Sequence, residues 1–359
     1  TPAFPVYDGP LLDRSQIGLQ LHLHNEDIDE MMRQLETLNV GWVKVQVSWK
    51  LFQPEPGRLD DVLWQELDDL VAAANERDIQ VLLGVAKAPE WSRPTTEMDG
   101  PPSDGATFAR FMGLLSSRYA GRVAAYELWN ETNLQREWNG APLSGADLAE
   151  LIRLGAQAVR ENDPQALVIT GAPAPTGIND GVTAVDDRVY FQQLVEAGVA
   201  QWVDGFGVHP YGWANPPLSR FTEPDTAVET HADHPSFFFR DTLADYRQIL
   251  TQASIDKPLW ATEFGWGSYE NIADPVPGTE YMLNVTEWQQ AEYTLGAYAF
   301  IHDATATAPN EFGPFILWNL NFGPLLGTEF SESAYSILRP DGSPRPIYHA
   351  LQTLTQRPD

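Results

Sequence analysis

The chain reads as a (β/α)8 barrel of the α/β class, one catalytic domain over residues 1–359 with long loops on one face. Three observations predict this. Eight short apolar runs alternate with eight stretches of helical spacing. Several runs are near-continuously apolar, as in strands covered on both faces. The long polar segments follow the third, sixth, seventh and eighth runs, and in a barrel such loops gather on the C-terminal face. A doubly wound open sheet is the rival. It needs a Gly-rich phosphate turn after the first strand, and none is present.

Residues 15–24 alternate as a first strand ending in His22 and His24. Helical spacing follows from Glu26 to Leu38. The second strand, Trp42 to Trp49, shows strict period-2 alternation of Val43, Val45 and Val47. Asp61 opens a helix after the PEPG turn. Ile79 to Ala86 is a buried strand, and Ser103 or Asp104 caps a helix through Tyr119. The fourth strand runs from Val123 to Glu131. A helix over Gly145 to Asn162, a strand over Ala166 to Gly171 and a helix over Asp186 to Ala197 come next. Trp202 to His209 is the sixth strand, with a Pro-rich loop behind it. Arg240 to Thr251 is helical, and Pro258 to Phe264 is the seventh strand. A loop over 267–285, a helix over Thr286 to His302, a strand over Gly313 to Asn319 and a closing helix over Pro346 to Leu354 complete the count.

Composition narrows the function. A net charge of −28 disfavours nucleic acid and anionic membrane as partners, since both are polyanions. No apolar run approaches the roughly 18 residues of a spanning helix. With no cysteine, disulfides, thiolate metal sites and thiol nucleophiles drop out. The start, TPAFPVYDGP, has the look of a mature or trimmed end, and an extracellular setting is the expectation. Twelve Trp and 12 Tyr suit a cleft where sugar C–H faces stack on rings; a Trp-rich core is the structural alternative.

Two strand ends carry a glutamate in aromatic company: Glu131 in ELWNETN and Glu263 in WATEFGW. A carboxylate at the end of an apolar strand needs partners or a task. Strands four and seven face each other across a closed eight-stranded mouth. Two inward carboxylates there stand at about 5 Å, the spacing of a retaining glycosidase.

WVKVQVSW followed by QPEPG, then APEWS, WNETN, HPYG, TEFGW and LWN, resemble the clan A glycoside hydrolases over essentially the whole chain. The pattern looks nearest to family 39, with family 5 as neighbour. The resemblance implies retaining hydrolysis of a β-linked oligo- or polysaccharide without metal or organic cofactor. It makes Glu131 the acid/base and Glu263 the nucleophile. It gives Asn130 a sugar 2-OH contact, sets Tyr211 and His209 beside the nucleophile, and makes Trp318 the platform under the reacting sugar. His209 as a structural histidine and Asn130 as a loop cap are the plainer alternatives. His22 or Gln20 is expected to touch a sugar hydroxyl at the barrel floor, and Trp91 to be a subsite wall or a structural ring. The chain departs from the family at Lys44, where Arg is frequent, and the two are not interchangeable at a bidentate site. Alternation turns Lys44 and Gln46 inward and predicts a buried Lys44–Glu127 pair beneath the site.

Two other functions compete. One is a carbohydrate-binding barrel without catalysis, and the presence of both glutamates weighs against it. The other is a metal-dependent barrel hydrolase, since His22-x-His24 resembles the metal pair of the amidohydrolases. That pattern expects Lys on strand four and His on strand five. Here strand four ends in Asn-Glu, and no His lies between His24 and His209. Sugar identity, endo or exo action and oligomeric state are not written in these motifs.

Overall fold

Strand order in the computed structural model, which describes residues 3–23, 27–272 and 275–357, follows chain order around a closed parallel barrel. The strands are β1 (Ile17–Leu21), β2 (Trp42–Ser48), β3 (Gln80–Ala86), β4 (Ala125–Leu128), β5 (Leu167–Thr170), β6 (Gly205–Val208), β7 (Leu259–Phe264) and β8 (Phe312–Leu317). Between them lie α1 (Ile28–Leu38), α3 (Asp61–Asn75), α4 (Gly105–Arg118), α5 (Gly145–Asn162), α6 (Asp187–Glu196), α7 (Phe239–Gln252) and α8 (Glu287–Thr307), with α10 (Pro346–Thr355) closing the ring. Two short helices were not predicted: α2 (Trp49–Phe52) after β2 and α9 (Phe322–Leu326) after β8.

The caps explain most helix starts. Asp27, Asp60 and Asp104 each accept a backbone N–H of the first turn. Asp104, one of the two residues expected, is the cap of α4. Thr286 and Gln289 form a reciprocal capping box at α8. The strands are shorter than their apolar runs. β4 stops at Leu128, because Trp129 and Glu131 take φ of 82° and 47° and leave the ladder. The sixth strand, expected from Trp202, begins only at Gly205, after a 3-10 turn over Val199–Gln201. His24, assigned to the end of strand one, lies outside the described residues.

The bore has two layers. Its lower part is a dry plug of Trp42, Leu82, Ala125, Ile169, Trp260 and Ile316. Such filling is what an eight-stranded bore requires. Above it the inward positions turn polar, at Gln20, Lys44, Gln46 and Glu127. Gly84 pairs with Gln46 on one side and Glu127 on the other. A Cβ there would meet Gln46 Oε1 at 3.0 Å and Glu127 Oε2 and Lys44 Cε at 3.2 Å. Glycine thus leaves the space that these long side chains fill.

Candidate active site

Everything at the mouth hangs on the ends of β4, β6 and β7. Glu131 follows β4 by three residues, and its N–H donates to the Ala172 carbonyl at 2.9 Å. Asn133 pins this turn to the segment after β5. Its amide donates to the carbonyls of Ala174 and Val185 at 2.8 and 2.9 Å, and its oxygen accepts from Ala174 N–H at 2.7 Å. Trp129 is buried between Phe108 and Trp138. Four non-glycine residues around the mouth, Lys87, Trp129, Glu131 and Trp213, have positive φ. Such strain persists where the surroundings over-determine it, commonly at functional sites.

Glu263 sits in β7 where the pairing with β8 slips between Ala261 and Phe264. An irregularity of this kind re-aims a side chain. Lys44 reaches Glu263 Oε1 at 3.2 Å, Glu127 Oε2 at 2.8 Å and the Thr262 carbonyl at 3.1 Å. The expected Lys44–Glu127 pair is therefore present, fully buried. Its ammonium also serves the second carboxylate, a link that was not predicted. Burial opposes the charge on Lys44, but Glu127 and Glu263 together hold its pKa above the ordinary 10.5. Tyr211 donates to Glu263 Oε2 at 3.2 Å, and burial beside that carboxylate keeps the phenol protonated. With its nitrogen toward Glu263, the Gln20 carboxamide donates to Oε1 at 3.2 Å, and its oxygen accepts from Trp318 Nε1 at 3.0 Å.

Glu131 meets different partners. His209 Nδ1 lies 3.1 Å from its Oε1, and the exposed Arg136 guanidinium lies 3.4 Å from its Oε2. Burial pushes this carboxyl up, but the imidazole and Arg136 outweigh it and hold the pKa below the ordinary 4.5. His209 shifts the opposite way. Burial pulls it down, and the charges of Glu263 and Glu131 carry it above 6.5. Both shifts thus favour the imidazolium–carboxylate form of the Glu131–His209 pair.

Glu131, His209 and Glu263 offer ligand atoms that all lie within 4.8 Å of one another. That spacing suits a retaining carboxylate pair, at about 5 Å. It would also suit a cation, but the Lys44 ammonium already supplies positive charge to Glu263. His22 is not part of this cluster. Burial lowers its pKa to about 4, so its imidazole is neutral near pH 7.

These residues open into a cavity of about 1060 Å³ lined by Glu131, Glu263, Asn130, Tyr211, Trp318 and His22 among others. His209 is buried just behind its wall. Several buried atoms facing it have no protein partner: Asn130 Oδ1, Gln46 Oε1 and Nε2, Ser48 Oγ and His22 Nε2. A buried polar atom without a partner is costly unless a ligand completes it. Trp91 is the correction. It is absent from the cavity lining, packs edge-on against Trp49 at 6.0 Å and donates to the Gln53 carbonyl at 3.1 Å. A ring beside a strand end met a neighbouring indole before it met the cleft. Sequence reasoning missed Ser48, the last residue of β2, and Trp213, Tyr281 and Tyr335, whose loops carry no periodic signal; Tyr281 and Tyr335 join hydroxyls at 2.9 Å.

The fold is the closed parallel barrel of the clan A glycoside hydrolases, a class of retaining glycosidases. The chain belongs to the cellulase family, glycosyl hydrolase family 5, whose model matches residues 8–302. No curated protein matches it. Among solved structures it resembles a family 39 glycoside hydrolase from the gut symbiont Bacteroides cellulosilyticus WH2 at TM-score 0.70 and 18% identity, over 96% of this chain and 65% of that one. It resembles a glucosidase from Croceicoccus marinus at TM-score 0.67 and 15% identity, over 98% and 69%. A family 5 subfamily 18 enzyme from Streptomyces cattleya, solved with GlcNAc, aligns at TM-score 0.64 and 16% identity, over 96% and 80%. At these identities the likeness lies in the fold, and the chain spans just under two thirds of the first structure.

Proposed function

We propose that the protein hydrolyses a β-linked glycoside with net retention, with Glu263 as nucleophile and Glu131 as acid/base. The observation that carries this reading is the spacing of the two carboxylates, whose offered atoms lie within 4.8 Å of His209 and of each other. Glu263 attacks the anomeric carbon as the glycosidic C–O bond breaks, and Glu131 protonates the departing oxygen. Glu131, now a carboxylate, then takes a proton from water, whose oxygen displaces Glu263 from the sugar. The proton for the first step passes to Glu131 from His209 along their 3.1 Å contact. Lys44, Tyr211 and Gln20 hold the Glu263 carboxylate in place by direct contacts. Trp318 is the platform under the reacting sugar, and Asn130 and His22 take its hydroxyls with their open polar atoms.

The test is turnover of a panel of aryl β-glycosides with NMR of the first-formed anomer. The β anomer is expected first, and Glu263→Gln is expected to lose about 10⁴-fold or more in kcat with its fold intact by circular dichroism. An initial α anomer would overturn the retaining mechanism.

A further inference from the structure

A groove on the outside of the barrel shares no lining residue with the catalytic cavity. It encloses about 420 Å³ between α7, α8 and the start of β8, a size that suits a small molecule. One face of α7 lines it, with Arg240, Leu243, Arg247 and Thr251 about a turn apart. At 1.5 Å per residue that face runs about 16 Å. The floor is apolar. Leu243 is buried there, while the Phe300 and Phe312 rings pack on the core and stay partly exposed along the gap.

The rim is cationic in a chain that is strongly acidic. Arg220, Arg240 and Arg247 line the groove with a single carboxylate among the described residues, Glu311. The chain as a whole has 22 Lys and Arg against 50 Asp and Glu, so an unpaired guanidinium is out of character for it. Arg247 is engaged: it donates to the Lys257 carbonyl at 2.6 Å, and Glu311 lies 3.9 Å from its Nε. Arg220 and Arg240 are not. Among the described residues, neither guanidinium has a carboxylate or another acceptor within hydrogen-bond reach. Arg240 lies over the Phe300 ring, 5.6 Å from its centroid, which holds the group at the groove and leaves its N–H edge open. The neighbouring Asp241 accepts from the Phe221 N–H at 2.6 Å, and that bond sets the Arg220 turn beside the first turn of α7. Glu311 stands with Arg247, about two turns of α7 from Arg240. It therefore does not oppose an anion at the first turn.

A bare phosphate or sulfate would leave the apolar floor uncovered. A neutral apolar molecule would leave both guanidiniums unpaired. A planar carboxylate matches the guanidinium fork with two parallel bonds. We propose that the groove binds a small carboxylate with an apolar ring body, its charge at Arg220 and Arg240 and its ring on Leu243, Phe300 and Phe312. The site stands apart from the glycosidase reading, since neither Glu131 nor Glu263 lines it.

The test is calorimetric titration of the full chain with naphthoate and with its neutral counterpart, naphthylmethanol. Naphthoate is expected to bind about tenfold or more tightly than the alcohol, and to weaken as salt is added. Arg220→Met combined with Arg240→Met is expected to remove that preference with an unchanged circular dichroism spectrum. Ala244→Trp fills the groove at an exposed position and is expected to block naphthoate with both guanidiniums intact. Equal binding of the two compounds, binding of neither, or a preference that survives both the double substitution and Ala244→Trp would overturn the site.

Discussion

Glu263 is held by a buried ammonium, a phenol and a carboxamide, whereas Glu131 meets an imidazole and one solvent-facing guanidinium. The first set has no role for a mobile proton. Lys44 stays charged and Tyr211 stays protonated across the ordinary range. The second set pairs a carboxyl with an imidazole, and both shifts favour the imidazolium–carboxylate form. Two chemically identical side chains thus sit among different partners, one bound by groups that keep their protons and one bonded to a group that titrates near neutrality.

Removing the proton carrier should have the largest effect after loss of the nucleophile. Glu131→Gln is expected to lower kcat/KM by about 10²- to 10⁴-fold on a substrate with a poor leaving group. The loss should be much smaller for the first step with a nitrophenyl leaving group, which departs without a proton. Stopped-flow detection of the nitrophenolate burst measures the two steps separately. An equal loss on both substrates would remove the acid role.

Breaking the fixed side comes next. Lys44→Met leaves Glu127 buried without its partner and is expected to cost about 3–5 kcal/mol of stability by denaturant unfolding. Lys44→Met with Glu127→Met should recover much of that stability yet not the activity, because Glu263 would still lack its ammonium. Recovery of both would make Lys44 purely structural.

The smallest effect, and the one that sharpens the contrast most, is a pH profile. His209 is raised above 6.5 and Glu131 lowered below 4.5, so both shifts favour a proton on the imidazole. The alkaline limb of kcat/KM is expected above pH 6.5, as His209 releases it. His209→Asn should move that limb acidward, to the carboxyl alone. The stability contributed by the pair has the matching signs. It is complete between the ordinary values of 4.5 and 6.5, is lost as pH falls through the lowered Glu131 value, and is lost as pH rises through the raised His209 value. An alkaline limb that does not move in His209→Asn would detach the histidine from the acid.

What the sequence made legible follows from how local each signal is. Val43, Val45 and Val47 alternate, so Lys44 and Gln46 had to point into the bore, and they do. Glu131 and Glu263 were readable because each interrupts an apolar strand. The end of β4 was not, because positive φ at Trp129 and Glu131 depends on what packs around them. Lys44 meeting Glu263 across 219 positions required the closed barrel, and no spacing rule carries that. Trp91 shows the converse. Its motif looked like the others, but whether an indole faces a cleft or another indole is decided by packing. The rings after β7 and β8 lie in irregular loops, where neither period applies.

Asn133 has a consequence for anyone who would alter this enzyme. Its carboxamide ties the turn bearing Glu131 to backbone at Ala174 and Val185, the two flanks of the loop that displays Ile178. Grafting a foreign loop between those flanks would pull on the acid through one side chain. Libraries built there should keep Ala174 and Val185 at their present separation and vary only the tip.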